Sequence, residues 1–234
     1  GARRGDLLTL TATFAGEMLT RTFRAWPDTD GEQHLALAFT TQGVWQPWLT
    51  GGYTRALALD GDTVWAGGPD GLISMSLTSG VSLSHPLPWT SPSVRALAAT
   101  ANGHVWAAGA GGVAEFDGAT WQQLALPVAG TPRALAASPT GDAIFIGGGD
   151  GYGYVTLYAG TFVITWDFNA PVMALAVDTA GRLWAGTWGA GVFRQDGQGG
   201  WTQFRDTTGL ASDWVIAAAA GDDAVWFGTS PYLS

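Results

Sequence analysis

Short apolar stretches of two kinds alternate along most of the chain. The first kind is built from small apolar residues and starts at Arg55, Arg95, Arg133, Met173 and Ile216. The second kind follows each copy of the first and carries one large aromatic residue: Trp65, Trp106, Phe145, Trp184 or Trp226. Because successive copies start about 40 residues apart, the pattern predicts a repeat architecture.

Each repeat contains the signals for four short strands, which we call A to D. Turns such as Asn102-Gly103 and Ala180-Gly181 separate the two apolar stretches. Glycine accepts the positive φ angles of tight hairpins, so strands A and B are predicted to be antiparallel neighbours. A glycine-rich loop then leads to a strand such as 112–116, and a last strand begins at Trp121 or Trp201.

Stacking of these units on one another explains why strand A has small residues and strand B has a large aromatic residue. A four-stranded sheet of this length cannot bury both faces alone, so the sequence predicts an all-β fold, a β-propeller of roughly 40-residue blades. Strand A would lie innermost, where only small side chains fit. The five aromatic residues of strand B would fill the space between successive blades, each contributing about 2 to 3 kcal/mol on burial.

The terminal segments leave two ways of completing the ring. Residues 34–234 form the predicted propeller, with about five blades, and residues 1–33 are N-terminal strands or a divergent first half-blade. In one arrangement, strands C and D within 34–49 combine with strands A and B within 213–229 to close a five-bladed ring. In the other, which the truncated C-terminal unit favours slightly, the repeats belong to a six- or seven-bladed ring.

Composition agrees with this fold and narrows the class of partner. Only 12% of residues are charged, whereas the chain has 35 Gly and 13 Trp, as expected for short strands joined by tight turns. The formal net charge of −9 opposes binding to nucleic acid or to an anionic membrane surface. No apolar run is long enough for a transmembrane helix, and the absence of Cys excludes disulfides and thiolate sites. No cofactor is predicted.

Residues able to perform chemistry are few and scattered. His34 lies beside a predicted strand, His85 in a predicted loop, and His104 at a generic turn position of the repeat. Glu occurs only at 17, 32 and 115, and none is at a spacing that pairs it with a His. The sequence therefore predicts no catalytic residue, no metal site and a protein that is not an enzyme.

One face of the propeller concentrates the residues suited to binding. The D-to-A connections and the B-to-C loops emerge on the same face, and exposed aromatic residues are predicted there: Tyr53, Trp89, Trp166 and Trp214 on or near the former, and Tyr152, Trp188 and Tyr232 on the latter. Such rings suit sugars, peptides or partner proteins, although they could equally cap the core.

Three arginines add positive charge to that face. Arg55, Arg95 and Arg133 occupy the same position of three consecutive blades, at the start of the innermost strand. At a separation of about 10 Å and an effective dielectric near 20, neighbouring guanidinium groups would repel by roughly 1.5 kcal/mol. Either Asp side chains of the protein or a bound anion must compensate. The predicted binding residues are Arg55, Arg95, Arg133, Trp89, Tyr152, Trp188 and Trp214, and the predicted partner is a protein or a small ligand, anionic or carbohydrate in nature.

The best-defined repeat resembles a known family. Residues 178–187 read Asp-Thr-Ala-Gly-Arg-Leu-Trp-Ala-Gly-Thr, and Gly209-Leu-Ala-Ser212 follows, which is similar to the "D-x-x-G-x-L-W-x-G-T" and "G-L-x-S" signals of the two-component-regulator propeller repeat. The resemblance is strong over residues 171–230 and weaker over 53–168. It implies a ligand-sensing or protein-docking module of a larger bacterial protein, outside the cytoplasm, without family-wide catalytic residues. Streptogramin-lyase-like propellers share this blade style, so a propeller-type lyase or glycosidase is the less favoured alternative.

Overall fold

The architecture consists of antiparallel β-sheets that follow one another along the chain. A computed structural model describes residues 53–139, 141, 143–197 and 199–230, together with the backbone of strands within 7–14, 17–24, 37–39 and 45–47. The described strands form four four-stranded sheets and three two-stranded sheets. The prediction of an all-β protein made of four-stranded blades is confirmed.

The strands have the following bounds. The early strands are β1 (Leu7–Phe14), β2 (Glu17–Arg24), β3 (Leu37–Phe39) and β4 (Trp45–Pro47). Blade 1 contains β5 (Ala56–Asp60), β6 (Thr63–Gly68), β7 (Gly71–Ser76) and β8 (Ser82–His85). Blade 2 contains β9 (Val94–Ala99), β10 (Val105–Gly109), β11 (Gly112–Phe116) and β12 (Trp121–Leu124). Blade 3 contains β13 (Pro132–Ala137), β14 (Ile144–Gly148), β15 (Gly153–Tyr158) and β16 (Phe162–Phe168).

The remaining strands complete one blade and begin another. Blade 4 contains β17 (Val172–Val177), β18 (Leu183–Thr187), β19 (Val192–Gln195) and β20 (Trp201–Phe204), and a short 3-10 helix follows at Asp206–Thr208. The terminal hairpin is β21 (Val215–Ala220) with β22 (Val225–Thr229), which pair in a sheet of their own. Strands β1 and β2 pair with each other, as do β3 and β4. Among the described strands, the pairing of β22 with β3 that a five-bladed closure requires is not found.

The first strand of each blade lies innermost. Strands β5, β9, β13, β17 and β21 contact one another in chain order, as expected when blades converge on a common axis. Alanine dominates the sides by which they meet the next blade, and Ala98, Ala134, Ala136, Ala174 and Ala176 are all buried there. The predicted role of the small side chains is therefore confirmed.

The core lies between blades rather than within them. Trp65 and Leu72 of blade 1 pack on Val94 and Val105 of blade 2. In the same way Trp106 meets Ile144 and Ile146 of blade 3, and blade 3 packs on Val172 and Leu183 of blade 4 through Ala134, Val155 and Phe168. Blades 2 and 3 thus each contribute to two apolar interfaces. This is expected of repeat proteins, whose stability comes from contacts between neighbouring units.

A glycine of strand B makes room for the next blade. A Cβ atom on Gly186 would lie 2.5 Å from Val215 Cγ1, and one on Gly67 would lie 2.5 Å from Val94 Cγ1. Neither contact is possible between carbon atoms, so the glycine in the repeated aromatic-x-Gly signal reflects close packing of blades and not a turn.

We expect Gly186→Ala to destabilise the protein by about 1 to 3 kcal/mol, because the added methyl group overpacks the interface with Val215. The matched control is Gly228→Ala, since the nearest atom to that Cβ would be Ala217 Cβ at 3.2 Å, within the same hairpin. Urea denaturation followed by circular dichroism measures both. Equal losses in the two variants would contradict this account of the glycine.

The outer faces of the first and last described blades are open. Leu57 is 65% exposed, although Leu97 and Leu135 at the same position are each 8% exposed. At the other end Trp226 is 71% exposed, because no blade among the described residues follows β22. The prediction that Trp226 is buried between sheets is therefore wrong, while Trp65 and Trp106 are buried as predicted.

Candidate functional site

A β-bulge sets the position of two of the three predicted arginines, Arg95 and Arg133. In β13, Pro132 pairs with Gly148 and Ala134 with Gly147, so Arg133 is the extra residue between two paired positions. Arg95 is skipped in the same way between Val94 and Ala96, which pair with Gly109 and Ala108. A bulge removes a residue from the regular alternation of a strand and redirects its side chain. Repetition of this bulge at the start of successive innermost strands places equivalent side chains at the same rim of the propeller.

We call this rim the upper face, meaning the B-to-C loops 69–70, 110–111, 149–152 and 188–191 together with the D-to-A connections 86–93, 125–131, 169–171 and 205–214. All seven predicted binding residues belong to it or border it. Five of them fall into an arginine group on blades 1 to 3 and a tryptophan pair that joins blade 4 to the terminal hairpin. Trp89 and Tyr152 belong to neither group.

Within the arginine group, two of the three guanidinium groups have protein partners. Arg133 donates from Nε to the Gly149 carbonyl oxygen at 2.9 Å and from Nη2 to Asp150 Oδ1 at 2.7 Å. Arg55 donates to the Tyr53 hydroxyl and lies over the Tyr53 ring, 4.9 Å from its centroid. Tyr53 and Asp150 thus belong to the site, of which only Tyr53 could be placed from the sequence.

Arg95, between them, lacks such a partner. Its Nε is buried and has no hydrogen-bond partner among the described residues. Burial, followed by the positive charges of Arg133 and Arg55, holds the pKa of Arg95 below its ordinary value, while Asp150 acts in the opposite direction. The positive charges of Arg55 and Arg133 thus both act on Arg95.

Asp150 is the acid that compensates this charge. Its Oδ2 accepts hydrogen bonds from the backbone and the hydroxyl of Thr131, at 2.8 Å and 2.9 Å, and these bonds, with a smaller contribution from Arg133, hold its pKa below the ordinary value. Asp150 lies in the widened loop 149–152, where Tyr152 is 83% exposed. Asp150 thus acts on two of the arginines, Arg133 and Arg95.

A cleft adjoins the arginine group between blades 2 and 3. It has a volume of about 480 Å³ and is lined by small and polar residues of both blades, including Gly111, Gln123, Thr131 and Asp150. This size falls within the range of small-ligand sites. Because Asp150 lines the cleft and also binds Arg133, a ligand in the cleft would lie beside the cationic group.

The predicted tryptophans differ in exposure and contacts. Trp188 and Trp214 form an edge-to-face pair with ring centroids 4.8 Å apart, and their backbones form an isolated bridge. Trp89 packs over Gly111, where a Cβ atom would lie 2.0 Å from the ring, and borders the core between blades 1 and 2. Trp166 lies in β16, two residues before its end at the D-to-A connection, and its ring packs edge-to-face against Trp201. Tyr232 and His34 fall outside the described residues.

Two histidines have contacts that the sequence did not indicate. His104 Nδ1 lies 2.6 Å from Glu115 Oε1 across β10 and β11, so the prediction that no Glu pairs with a His is wrong. The sequence separation of the two residues hid a diagonal contact, which appears once Trp106 is known to pair with Glu115. This pair lies at the end of the hairpin opposite the B-to-C loop, on the lower face. His85 ends β8 instead of lying in a loop, and its ring packs against Trp65 with centroids 4.5 Å apart.

The described residues contain neither a cluster of metal ligands nor a membrane-spanning helix. No three His, Asp or Glu side chains within them are grouped as a metal site. They also include no helix with the length and apolar character needed to cross a membrane.

Comparison with known proteins identifies the fold. No family model and no curated protein matches the sequence. The structure is similar to the extracellular domain of BT4673 from B. thetaiotaomicron, assigned as a one-component system, with a TM-score of 0.67 and 16% identity over 96% of this chain and 37% of that one. It is also similar to the extracellular domain of BT3049, assigned as a hybrid two-component system, with a TM-score of 0.64 and 19% identity over 77% of this chain and 26% of that one.

An enzyme shares the same fold. Virginiamycin B lyase from Staphylococcus aureus, as its inactive H270A variant with quinupristin, gives a TM-score of 0.68 and 14% identity over 95% of this chain and 81% of that one. In contrast to the lyase, of which it covers most, the chain spans little more than a third of the BT4673 domain. The extracellular domains come from the class of regulator to which the repeat resemblance points, and the chain has the β-propeller fold found in these sensor domains.

Proposed function

We propose that this chain is a non-enzymatic β-propeller module that binds a ligand on its upper face, within a larger extracytoplasmic sensor protein of a bacterium. The observation that carries the proposal is the group of Arg55, Arg95 and Arg133 with Asp150 beside an open cleft. Equivalent bulges direct Arg95 and Arg133 to one rim, and Arg55 precedes the innermost strand at the same position of blade 1. Blade 4 and the terminal hairpin have Met173 and Ile216 in that place. Charge is therefore concentrated on one sector of the face.

The similarity to regulator domains supports a sensing role, because the resemblance of residues 171–230 and the shared fold point to the same class of protein. Docking of a partner protein is the second candidate. Tyr152 is almost fully exposed beside the arginines, and Tyr and Arg are enriched at the centres of protein interfaces.

A single engineered cysteine tests the location of binding, since the chain contains no Cys. Tyr152→Cys carries a fluorophore on the upper face, and Ser79→Cys, in the exposed turn between β7 and β8, carries it on the lower face. Both proteins are titrated with a library of monosaccharides, disaccharides, organic acids and short peptides. We expect saturable responses from the label at 152 and not from the label at 79.

Three results bear on the choice of function. A response only at position 79 would contradict the proposed face. Consumption of a library compound by the unlabelled protein, abolished in His104→Ala, would establish the lyase-type alternative and the His104–Glu115 pair as its acid and base. Responses confined to peptides would favour docking of a partner protein.

A further inference from the structure

The carboxylate that acts on the charge of Arg95 is already engaged by other residues. Asp150 favours the charged form of Arg95, and its oxygen atoms accept bonds from Thr131 and Arg133. Arg55 donates to an uncharged group, the Tyr53 hydroxyl. A guanidinium cannot lose its proton in a protein, so Arg95 stays charged and attracts an anion from solution.

The geometry around Arg95 suits an oxyanion. Guanidinium groups present parallel N–H donors that match the two oxygen atoms of a carboxylate, sulfate or phosphate. Arg95 lies between Arg55 and Arg133 along the ring of innermost strands, so an anion bound to it is flanked by a positive charge on either side. Its buried Nε would then gain the acceptor that it lacks.

We propose that Arg95, flanked by Arg55 and Arg133, binds an oxyanion group of the ligand of this module, an inference that rests on the proposed function. The cleft between blades 2 and 3 would receive the uncharged body of such a ligand. Its lining of glycine, Gln123 and Thr131 offers backbone and side-chain hydrogen bonds, and Tyr152 offers an exposed ring at its edge. The ligand class is therefore a small organic anion whose charged group lies at the arginines.

Another arginine of the chain shows that a buried Nε is not sufficient for such a site. Arg194 Nε is also buried without a hydrogen-bond partner, but its guanidinium lies 5.4 Å from the Trp184 ring and 5.5 Å from the Phe204 ring. Stacking on two aromatic faces stabilises that cation locally. Arg194→Gln is consequently the matched control for Arg95→Gln.

The test follows the Nε–H resonance of Arg95 by NMR while the protein is titrated with sodium sulfate, sodium phosphate or sodium galacturonate at constant ionic strength. Galactose is the uncharged counterpart of galacturonate. We expect the Arg95 signal to shift with the three oxyanions and not with galactose. Isothermal titration calorimetry measures the variants, and Arg95→Gln should weaken binding by about tenfold or more, because a charge-assisted bidentate contact is lost. Arg194→Gln should leave the affinity within about twofold.

The affinities of the different compounds show which oxyanion the site prefers. They also show whether the oxyanion site or the whole binding face is wrong. Tighter binding of galacturonate identifies a carboxylate on an organic body, and tighter binding of sulfate or phosphate identifies those groups. Arg95→Lys keeps the charge and should bind with intermediate affinity, which shows that loss in Arg95→Gln is not misfolding. An Arg95 signal that no oxyanion shifts, or equal losses in Arg95→Gln and Arg194→Gln, would overturn the oxyanion site. A neutral compound that still changed the label at position 152 would leave the proposed binding face intact.

Discussion

Replacement of Trp106 by Ala is expected to lower the free energy of unfolding by about 3 to 5 kcal/mol. Trp106 is 1% exposed and fills the space between blades 2 and 3, where it packs on Ile144 and Ile146 and meets the Tyr158 ring edge-to-face at 5.5 Å. Neighbouring blades hold their positions through their other contacts, so the cavity left by the indole closes only in part. Urea unfolding monitored by circular dichroism provides the measurement, because the 13 tryptophans make fluorescence a composite signal.

Trp226 is the matched control, since it occupies the same position of the terminal hairpin. It is 71% exposed, so Trp226→Ala should change stability by no more than about 0.5 kcal/mol. A loss as large as that of Trp106→Ala would contradict the open face and would mean that another blade or another chain covers Trp226 in solution. The pair of variants therefore measures how much stability a strand B aromatic gains from a following blade.

The contrast between these tryptophans shows what the repeat pattern predicts and what it does not. The period of about 40 residues predicts which stretches become strands and which pair within a blade, because those choices depend on local turns and alternating side chains. It gives Trp106 and Trp226 the same role. Burial of an aromatic residue between blades depends on the neighbour beyond, which the pattern of one unit does not contain.

The sequence also predicts only one part of the candidate site. Arg55, Arg95 and Arg133 could be placed on one face from their common position in the repeat. The bulges that set the direction of Arg95 and Arg133 arise from the pairing register of β9 with β10 and of β13 with β14, and register depends on contacts across strands. Asp150 was hidden for a related reason, because its contact with Arg133 depends on how the loop 149–152 folds back on the start of β13. The contact of His104 with Glu115 likewise depends on register.

Asp178 shows in physical terms what the Asp-x-x-Gly-x-Leu-Trp signal of blade 4 does. Its Oδ1 accepts hydrogen bonds from the backbone of Ala180 and Arg182 at 3.0 Å and 2.9 Å, and its Oδ2 accepts from Arg182 Nε and Trp184 Nε1 at 2.8 Å and 2.9 Å. One carboxylate thus closes the turn between β17 and β18 and orients the aromatic residue of strand B. Gly181 supplies the positive φ of 76° at the turn.

Loss of this carboxylate should be costly. We expect Asp178→Ala to lower the free energy of unfolding by about 2 to 3 kcal/mol, because its side chain is only 8% exposed and its removal leaves several donors without an acceptor. Asp117→Ala is the control. Asp117 also accepts hydrogen bonds from the turn that follows it, at Ala119 and Thr120, but in an exposed turn where water can replace the carboxylate. A loss for Asp117→Ala equal to that for Asp178→Ala would contradict the role assigned to burial.

The same carboxylate should make stability depend on pH. Burial favours the neutral form of Asp178, but the hydrogen bonds from Trp184 and Arg182 outweigh it, so its pKa lies below the ordinary value. The stabilisation is therefore complete above the unfolded-state pKa of about 3.9 and is lost as the pH falls through the lower pKa of the folded protein. The difference in unfolding free energy between the unmodified protein and Asp178→Asn should shrink as the pH is lowered from 6 towards 3, and a difference that stayed constant would show that the carboxylate charge has no part in it.

Blade 2 has Thr100 in the place of Asp178, and there Trp106 Nε1 is buried without a partner among the described residues. The indole–carboxylate contact is thus particular to the blade that most resembles the regulator repeat, and its contribution to stability can be measured without disturbing the arginine group.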